Sequence, residues 1–470
     1  MIEKKTKVHF MGINGSGISA VACIAKNKGF EVSGCDLNEV GDYTEQLVRN
    51  NIKISKGHDV SHLKDVDIVV LSPALLYKDK YKTIEETRVA METRKTIKWQ
   101  KFLGEYIMNN QNVVAVSGTH GKTTTTTLMG LILEKDDFDP TVFVGGIVKE
   151  WNQSYRVGNS DYYVCEADEY DGNFLNYNPK YVILNNMEME HPERFKNFEE
   201  YKENFKNFIK TIQKNGKIVF YYDDQNVLDL ISSMVDFLKE KNIKIIAFTF
   251  NTKLKKSPDF INLVKVKKEK NKIIINDNEI EFKILGDHNT KNVAIASILS
   301  MELGVKMASI KEVIKNFTGS KRRMDLVFSG ENVQLYDDYA HHHTQIECTL
   351  NAIRGNMKEG DELIAVLEPH LISRIRDNVE EFKKALLIAD YPIITKIYKS
   401  RESFMEDIDV KKLLNCDKIS YIESHQDVID TIEKLISNKN KNYVIVVMGA
   451  GNSYKITRVL KEYLENTCKY

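Results

Sequence analysis

Proline is scarce in this chain, 7 residues in 470, and that scarcity, beside 42% hydrophobic and 29% charged residues, fits a folded chain better than a disordered one. Cysteine is scarcer still. The six cysteines (Cys23, Cys35, Cys165, Cys348, Cys416, Cys468) lie far apart with no C-x-x-C pair, which argues against a zinc knuckle and a disulfide framework and suits a reducing cytoplasm. An excess of either charge is also missing: Lys+Arg and Asp+Glu are 67 each. Whole-chain electrostatics therefore gives no reason to expect nucleic acid or an anionic membrane surface as partner. No run approaches the ~18 apolar residues of a membrane span, and the opening MIEKKTKVHF turns at once into a strand rather than a signal-peptide apolar region. No repeat of fixed period is present. At about 150 residues per domain the length allows three domains.

What is there reads as α/β. Val8 to Met11 is a buried strand, followed by a Gly-rich turn, an apolar helix from about Ile18 to Lys28, and a second strand from Glu31 to Gly34 that runs out at Asp36. Further strand-like runs (Ile68 to Leu71, Val113 to Val116, Tyr162 to Cys165, Tyr181 to Leu184, Ile218 to Tyr221, Ile364 to Leu367, Tyr443 to Met448) alternate with helical stretches, the pattern of parallel sheets. The Lys/Asn-rich tract from Lys253 to Asn278 reads as a hairpin or meander with a solvated face. Domain boundaries are expected near Tyr106 to Gln111 and near Thr318 to Arg322.

The strongest chemical signal is Val113-Val-Ala-Val-Ser-Gly118-Thr119-His120-Gly121-Lys122-Thr123-Thr124. A strand entering a Gly-containing loop and then a helix points backbone N–H groups at phosphate, while a lysine neutralises charge and a hydroxyl ligates Mg²⁺. The longer Walker spacing is not met, because Val116 stands five residues before Gly121. The run Thr123 to Thr127 is poor helix material, so something other than local propensity selects it. At the N-terminus Gly12-Ile-Asn-Gly15-Ser16-Gly17, with Asp36 about 20 residues on, has the spacing that holds a pyrophosphate and a ribose. Taken alone it also suits plain packing of a βα turn.

Cys165-Glu166-Ala-Asp168-Glu169-Tyr-Asp171 and Asn185-Asn186-Met-Glu188-Met-Glu190-His191-Pro192 each end a strand-like run. Oxygen ligands and an imidazole at strand ends beside a phosphate loop are where Mg²⁺ would bridge nucleotide oxygens. In the last third, Asp337-Asp338-Tyr339-Ala340-His341-His342-His343 invites a zinc guess, but successive side chains point apart and no cysteine is near. Substrate or nucleotide contact is the better expectation there. Leu367-Glu368-Pro369-His370-Leu371-Ile372-Ser-Arg374-Ile-Arg376-Asp377 places a His and two Arg at another strand end, suited to a carboxylate or phosphate or to a surface salt-bridge cluster.

Together with VSGCDL, KGHDV, Gly286-Asp-His288-Asn289-Thr-Lys-Asn292, Lys321-Arg322-Arg323-Met-Asp325 and Met448-Gly449-Ala-Gly451-Asn452, these motifs make the chain resemble the Mur ligases along essentially its whole length. The resemblance implies three α/β domains: an N-terminal Rossmann-like domain for a UDP sugar (1–106), a central P-loop ATPase domain with a mostly parallel sheet (107–319) and a C-terminal Rossmann-like domain (320–470). It further implies ATP phosphates on Gly118, Thr119, His120, Gly121, Lys122, Thr123 and Thr124, with Mg²⁺ on Thr123, Glu166 and His191. The adenine side would fall on His288, Asn289 and Asn292, and Arg323 and Asp338 would reach the nucleotide from the third domain. The catalytic set so implied is Lys122, Glu166, His191 and Arg323. The UDP sugar would meet Gly15, Ser16 and Asp36, and an acceptor amino acid Tyr339, His342, His370 and Arg374.

The implied reaction joins L-alanine to the lactyl carboxylate of UDP-N-acetylmuramate at the expense of ATP, through an acyl phosphate, in a cytoplasmic monomer or homodimer making a peptidoglycan precursor. Leu371 and Ile372 depart from the alanine-adding pattern. The EADEYD and ILNN spellings also resemble the relative that recycles a murein tripeptide onto the same UDP sugar, so that acceptor stands as the alternative. Some Mur ligases carry a carbamylated lysine beyond the His191 position; Lys202 and Lys206 are nearby, and neither is assigned that role. A rival from another class, a nicotinamide-dependent oxidoreductase, rests on the opening glycines and Asp36 alone and leaves SGTHGKTT without work.

Overall fold

The computed structural model describes residues 5–37, 43–76, 82–191, 194–399 and 407–467. The start of the opening segment (1–4), Pro192 and Cys468 lie outside the described residues. Among the described residues three sheets organise the chain. The first is wholly parallel, in the order β3-β2-β1-β4-β5, built from β1 (Lys7–Met11), β2 (Glu31–Asp36), β3 (Lys53–Lys56), β4 (Ile68–Leu71) and β5 (Lys95–Lys98). This is the strand order of a dinucleotide-binding half-fold extended by its neighbours. The helix expected from Ile18 begins at Ser16, because Gly15 takes extended angles and acts as its N-cap. The second strand spans Glu31–Asp36 and ends at Asp36, as expected. Gly34 sits inside it because a Cβ there would lie 2.6 Å from the Phe10 carbonyl oxygen, the close approach that glycine in a strand marks.

The second sheet has ten strands. They are β6 (Asn112–Ser117), β7 (Thr141–Val148), β8 (Gln153–Arg156), β9 (Tyr162–Glu166), β10 (Tyr181–Leu184), β11 (Lys217–Tyr221), β12 (Lys244–Thr249), β13 (Asn262–Glu269), β14 (Lys272–Ile275) and β15 (Asn278–Glu281). Their order is β15-β14-β13-β12-β11-β10-β6-β9-β7-β8. It is parallel from β13 to β7 and antiparallel at the β7/β8, β13/β14 and β14/β15 pairs. The Lys/Asn-rich tract thus becomes a meander whose Val266, Ile273, Ile275 and Ile280 point inward while its lysines stay wet. Helix Phe198–Lys210 buries Tyr201, Phe205, Phe208 and Ile209 at helical spacing and is capped by Asn197, whose Oδ1 accepts the Glu200 N–H at 2.9 Å. Phe208 stacks on Phe174 with centroids 4.4 Å apart. Each such fully buried ring is worth about 1.5–3 kcal/mol.

The third sheet runs β16-β17-β21-β18-β19-β20, parallel except for β16/β17. Its strands are β16 (Asp325–Ser329), β17 (Val333–Asp338), β18 (Glu362–Leu367), β19 (Tyr391–Ile394), β20 (Ser420–Tyr421) and β21 (Tyr443–Met448). The chain packs as two compact units, residues 1–283 with 291–317, and residues 284–290 with 318–470. The first unit holds the first two sheets and the second unit the third. Among the described residues no helix is long and apolar enough to cross a membrane.

Candidate active site

In the first unit β6 lies between β9 and β10, and parallel register sets Ser117 beside Leu184 and Val116 beside Glu166. The three strand ends therefore open side by side, where the neighbours of β6 diverge in the chain, and that is where α/β sheets bind ligands. The loop leaving β6 requires two glycines in the left-handed region, Gly118 (φ +124°) and Gly121 (φ +81°), the second being the N-cap of helix Lys122–Lys135. A Cβ on Gly121 would collide with the Asn292 amide and lie 2.9 Å from Asn185 Nδ2. All five threonines from Thr123 to Thr127 are buried. Packing, with Thr127 Oγ1 donating to the Thr123 carbonyl at 2.8 Å, holds a helix start that propensity alone would not.

Lys122 Nζ donates to Gly118 O at 2.7 Å, Thr119 O at 3.3 Å and Glu169 Oε2 at 2.8 Å. Burial works against its charge, but Glu169, Asp168 and Glu166 outweigh burial and hold the ammonium above the ordinary lysine value. Glu169 is buried, which pushes its carboxyl up against the pull of Lys122 and His191. His191 has a left-handed backbone (φ +60°) and brings Nε2 to 3.8 Å from Glu169 Oε1. Tyr201 links Glu169 (3.4 Å) to the Thr119 hydroxyl (3.0 Å). Asn186 grips the loop twice, accepting the His120 N–H at 2.8 Å and donating to the His120 carbonyl at 3.0 Å. Glu166 and Thr123 lie against the glycine pair of β7, where a Cβ on Gly145 would stand 2.6 Å from Glu166 Oε2 and one on Gly146 3.4 Å from Thr123 Cγ2. Ligand atoms of Asp168, Glu169 and His191 fall within 4.8 Å of one another, two carboxylates and an imidazole able to face a divalent cation, a set that shares only His191 with the expected Thr123, Glu166 and His191.

The expected nucleotide end of the first sheet is also assembled. Gly15 and Ser16 start the helix that follows β1, and Asp36 Oδ2 accepts the Asn14 N–H at 3.0 Å. Gly12 (φ +75°) leaves 2.8 Å between a would-be Cβ and Ser72, and Gly17 only 2.6 Å to the Trp99 ring.

In the second unit the C-terminal ends of β17, β21 and β18 align through Asp338, Met448 and Leu367. Asp338 accepts N–H groups of Ala340 (2.6 Å) and Met324 (2.7 Å), and burial raises its carboxyl although Arg323 opposes this. Burial likewise lifts Asp337 to about 7 against the pull of Arg322. Arg323 and Arg322 both lie over the Tyr339 ring, at 4.9 and 5.2 Å. A relay of rings leads from Tyr339 through His341 to His370 (centroids 5.3 and 5.4 Å apart), and His370 Nδ1 meets Arg374 at 3.2 Å. Leu371 and Ile372 are buried, so they pack inward rather than offer surface, and Leu371 holds a positive φ of 72°, a strained state for a branched residue. His342 caps helix His343–Arg354 and is buried against His343. His288 packs on Gly286, and Asn289 Nδ2 donates to Leu285 O at 2.8 Å.

The structure thus brings together Gly118–Thr124, Glu166, His191 and Asn292 in the first unit, and Arg323, Asp338, Tyr339, His370 and Arg374 at one sheet edge in the second. His288 and Asn289 belong to the second unit and Asn292 to the first. Sequence reasoning placed Glu169 and His341 in their motifs without giving either a role of its own, and it did not name Tyr201 or the Gly145–Gly146 pair. Two adjacent glycines inside a β-branched run were the one available signal.

A phosphate loop whose lysine is held among carboxylates, facing two acidic strand ends, is the equipment of an α/β enzyme that handles nucleotide phosphates. Residues 7–107 match the family model described as Mur ligase family, catalytic domain, residues 116–300 the Mur ligase middle domain, and residues 322–451 the Mur ligase, glutamate ligase domain. Similar proteins include UDP-N-acetylmuramate--L-alanine ligases of Caldicellulosiruptor saccharolyticus (35% identical, covering 97% of this chain and 98% of that one) and Persephonella marina (34%, 98% of each). Among solved structures, the UDP-N-acetylmuramate-alanine ligase of Thermotoga maritima superposes with a TM-score of 0.77 at 25% identity, covering 98% of this chain and 99% of that one. A murein peptide ligase of Psychrobacter arcticus gives 0.70 at 23% identity, covering 99% and 100%. The chain belongs to the Mur ligase family, with its three-domain α/β fold, which sets aside the nicotinamide-dependent reading of the opening glycines.

Proposed function

We propose that this protein is an ATP-dependent ligase that joins L-alanine to the lactyl carboxylate of UDP-N-acetylmuramate in the cytoplasm, with domains at 1–106, 107–319 and 320–470. The observation that carries the reading is Lys122, charged and aimed into the loop after β6 amid Glu166, Asp168 and Glu169. A carboxylate is a poor electrophile, and its attack on a polyphosphate brings two anions together. In the reaction the lactyl carboxylate attacks the γ-phosphorus of ATP in line and the bond to the β-phosphate oxygen breaks, giving an acyl phosphate and ADP. The amine of alanine then adds to the acyl carbon, loses a proton and expels inorganic phosphate. Lys122 and Arg323 supply positive charge where the transferring phosphoryl group gathers negative charge. Thr123, Glu166 and His191 would hold Mg²⁺, which when bound shields the phosphate oxygens. No protein nucleophile is required.

Gly15, Ser16 and Asp36 take the uridine nucleotide. The ring relay ending at Arg374 takes the acceptor, a buried guanidinium being well shaped to replace the water around a carboxylate. Support for alanine over the tripeptide comes from the relatives: those cited at 34–35% identity are alanine ligases, while the murein peptide ligase shares 23%. The test is phosphate release with ATP, UDP-N-acetylmuramate and, in turn, L-alanine, glycine, L-serine and L-Ala-γ-D-Glu-diaminopimelate. L-Alanine should give the highest kcat/KM, and Arg374→Ala should raise its KM by tens of fold with those for ATP and the UDP sugar nearly unchanged. A higher kcat/KM for the tripeptide would replace this reading with the recycling ligase.

A further inference from the structure

The face of the first sheet turned away from helix Ser16–Asn27 carries a cluster that the ligase reaction does not use. Alternation along β1 sends Val8 and Phe10 toward that helix and His9 and Met11 to the other side. There His9 Nε2 lies 3.3 Å from Cys35 Sγ and 3.4 Å from Glu86 Oε1, and Cys35 Sγ lies 3.3 Å from Glu86 Oε2. His62 Nδ1 stands 3.0 Å from Glu86 Oε1. One ligand atom each from His9, Cys35, His62 and Glu86 falls within 4.8 Å of every other. The side chains of His9 and Glu86 are 2% and 0% exposed, and that of His62 17%.

The geometry points to a structural transition-metal site, fitted to Zn²⁺, with His9, Cys35, His62 and Glu86 as its four ligands. Zinc takes tetrahedral N, S and O donors at about 2.0–2.3 Å, which sets neighbouring donors roughly 3.3–3.7 Å apart. The four edges named above, 3.0 to 3.4 Å and reaching both Glu86 oxygens, sit at or just below that spacing, and the other pairs lie within 4.8 Å. Charge agrees as well. A thiolate and a carboxylate with two neutral imidazoles balance a divalent cation, leaving a neutral set of the kind a buried cavity tolerates. Without the ion, one carboxylate must serve His58 (3.2 Å), His62 (3.0 Å), the Cys35 thiol (3.3 Å) and the Asp59 N–H (3.1 Å), with His9 close by. The outer contacts are those that orient metal ligands: Ser33 Oγ holds His9 Nδ1 at 2.9 Å, turning Nε2 inward, and the Asp59 N–H holds Glu86, while His58 Nδ1 stands 3.2 Å from Glu86 Oε2 and 3.3 Å from Cys35 Sγ, a fifth donor at the rim of the cluster. Burial keeps the Cys35 thiol protonated in the absence of metal, and coordination would replace that proton. Since the ligands come from β1, the end of β2, the turn after β3 and helix Glu85–Thr93, no C-x-x-C spacing signals the site. The ion would pin the residue next to Asp36, and with it the loop that Asp36 holds.

The test uses the full chain without a polyhistidine tag, loaded with Zn²⁺ and dialysed against Mg²⁺ buffer, then substituted with Co²⁺. One zinc per chain is expected to survive dialysis. The cobalt form should show a thiolate-to-metal charge-transfer band with the intense visible bands of four-coordinate cobalt. Cys35→Ser should abolish the charge-transfer band, and His62→Gln should weaken cobalt binding by roughly 10–100-fold. The band separates this site from the Mg²⁺ ligands, which include no thiol. If Cys35→Ser does not fold, His62→Gln, at the less buried ligand, carries the test by cobalt titration. Retention of less than about a tenth of an equivalent of zinc, a cobalt spectrum without the thiolate band, or a His62→Gln titration identical to the parent overturns the proposal and leaves a hydrogen-bonded core network.

Discussion

Replacing Lys122 with methionine keeps most of the side-chain volume and deletes the charge, which leaves Glu169 buried without its cation. Breaking one side of a buried pair costs about 3–5 kcal/mol when the other charge must stay. Glu169 has an escape, since it can take up a proton. From an ordinary value of 4.5, protonation at pH 7 costs roughly 3.4 kcal/mol at 1.36 kcal/mol per pH unit, and at pH 5 roughly 0.7 kcal/mol. The sign follows from linkage. In the variant the folded-state pKa of Glu169 lies above its unfolded value, so the protonated fold is fully stable below about pH 4.5 and loses stability as pH rises from there toward the folded pKa. Burial raises Glu169 in the wild type as well, so both proteins lose stability as pH rises, the variant more, and the gap between wild type and Lys122→Met should widen from pH 5 to pH 7 by at most about 2–3 kcal/mol. Urea unfolding followed by tryptophan fluorescence reads this directly, because both tryptophans, Trp99 and Trp151, belong to the first unit. Adding Glu169→Gln should close most of the gap at pH 7 and flatten its pH dependence. It should not restore turnover, which falls at least ~10²-fold in both variants because the transferring phosphoryl group has lost its cation. A stability gap equal at pH 5 and pH 7, or turnover rescued by the second substitution, would refute the account of this pair.

UDP-N-acetylmuramate should raise the melting temperature in proportion to RT ln(1 + [L]/Kd), NADH should not, and Gly17→Ala, which drives a Cβ into Trp99, should diminish the protection; equal protection by NADH would reverse the nucleotide assignment. Glu166→Ala and His191→Ala should each lower turnover roughly 10–100-fold, while calorimetry gives a UDP-sugar Kd near that of wild type; a large loss of sugar affinity in both would contradict the placement of the two sites. In the second unit Asp337, raised by burial to about 7, favours the fold when protonated, and that contribution drains away as pH climbs from about 4 through 7. Asp337→Asn should accordingly be more stable than wild type above pH 7, by up to about 4 kcal/mol, and denaturation at pH 5 and pH 8 would expose the error if the difference has the opposite sign or is absent.

Much of this architecture could be read from local pattern, and what could not has a common cause. Runs such as Tyr443–Met448, four β-branched residues between a tyrosine and a methionine, suit a strand covered on both faces, and this one lies buried inside a sheet. The phosphate loop was legible because glycine, lysine and threonine at fixed spacing leave a compact signature. Glu169 was not, although it stands three residues beyond Glu166, since nothing local says which of several acidic residues turns inward to meet Lys122. His341 was hidden among three consecutive histidines, and only the fold shows that it, rather than His342, joins Tyr339 to His370. The Cys35 cluster gathers residues from His9 to Glu86, too far apart for any window of sequence to reveal.

The division of helix Asp287–Glu302, whose first turn packs with the second unit and whose remainder packs with the first, bears on the order in which the protein is made. A chain emerging from the ribosome folds its N-terminal portions first. Everything the first unit needs has been synthesised once residue 317 is out, so its phosphate loop can be set before any strand of the third sheet exists. The turn bearing His288 and Asn289 is by then anchored at both ends in finished structure, with its own partners yet to be translated. A separately expressed piece beginning at Thr318 would lack residues 284–290 and so expose the Ala352 side of its helix that Gly286 otherwise covers. Splitting the gene at the obvious border would thus yield one unit with a dangling loop and another with a gap.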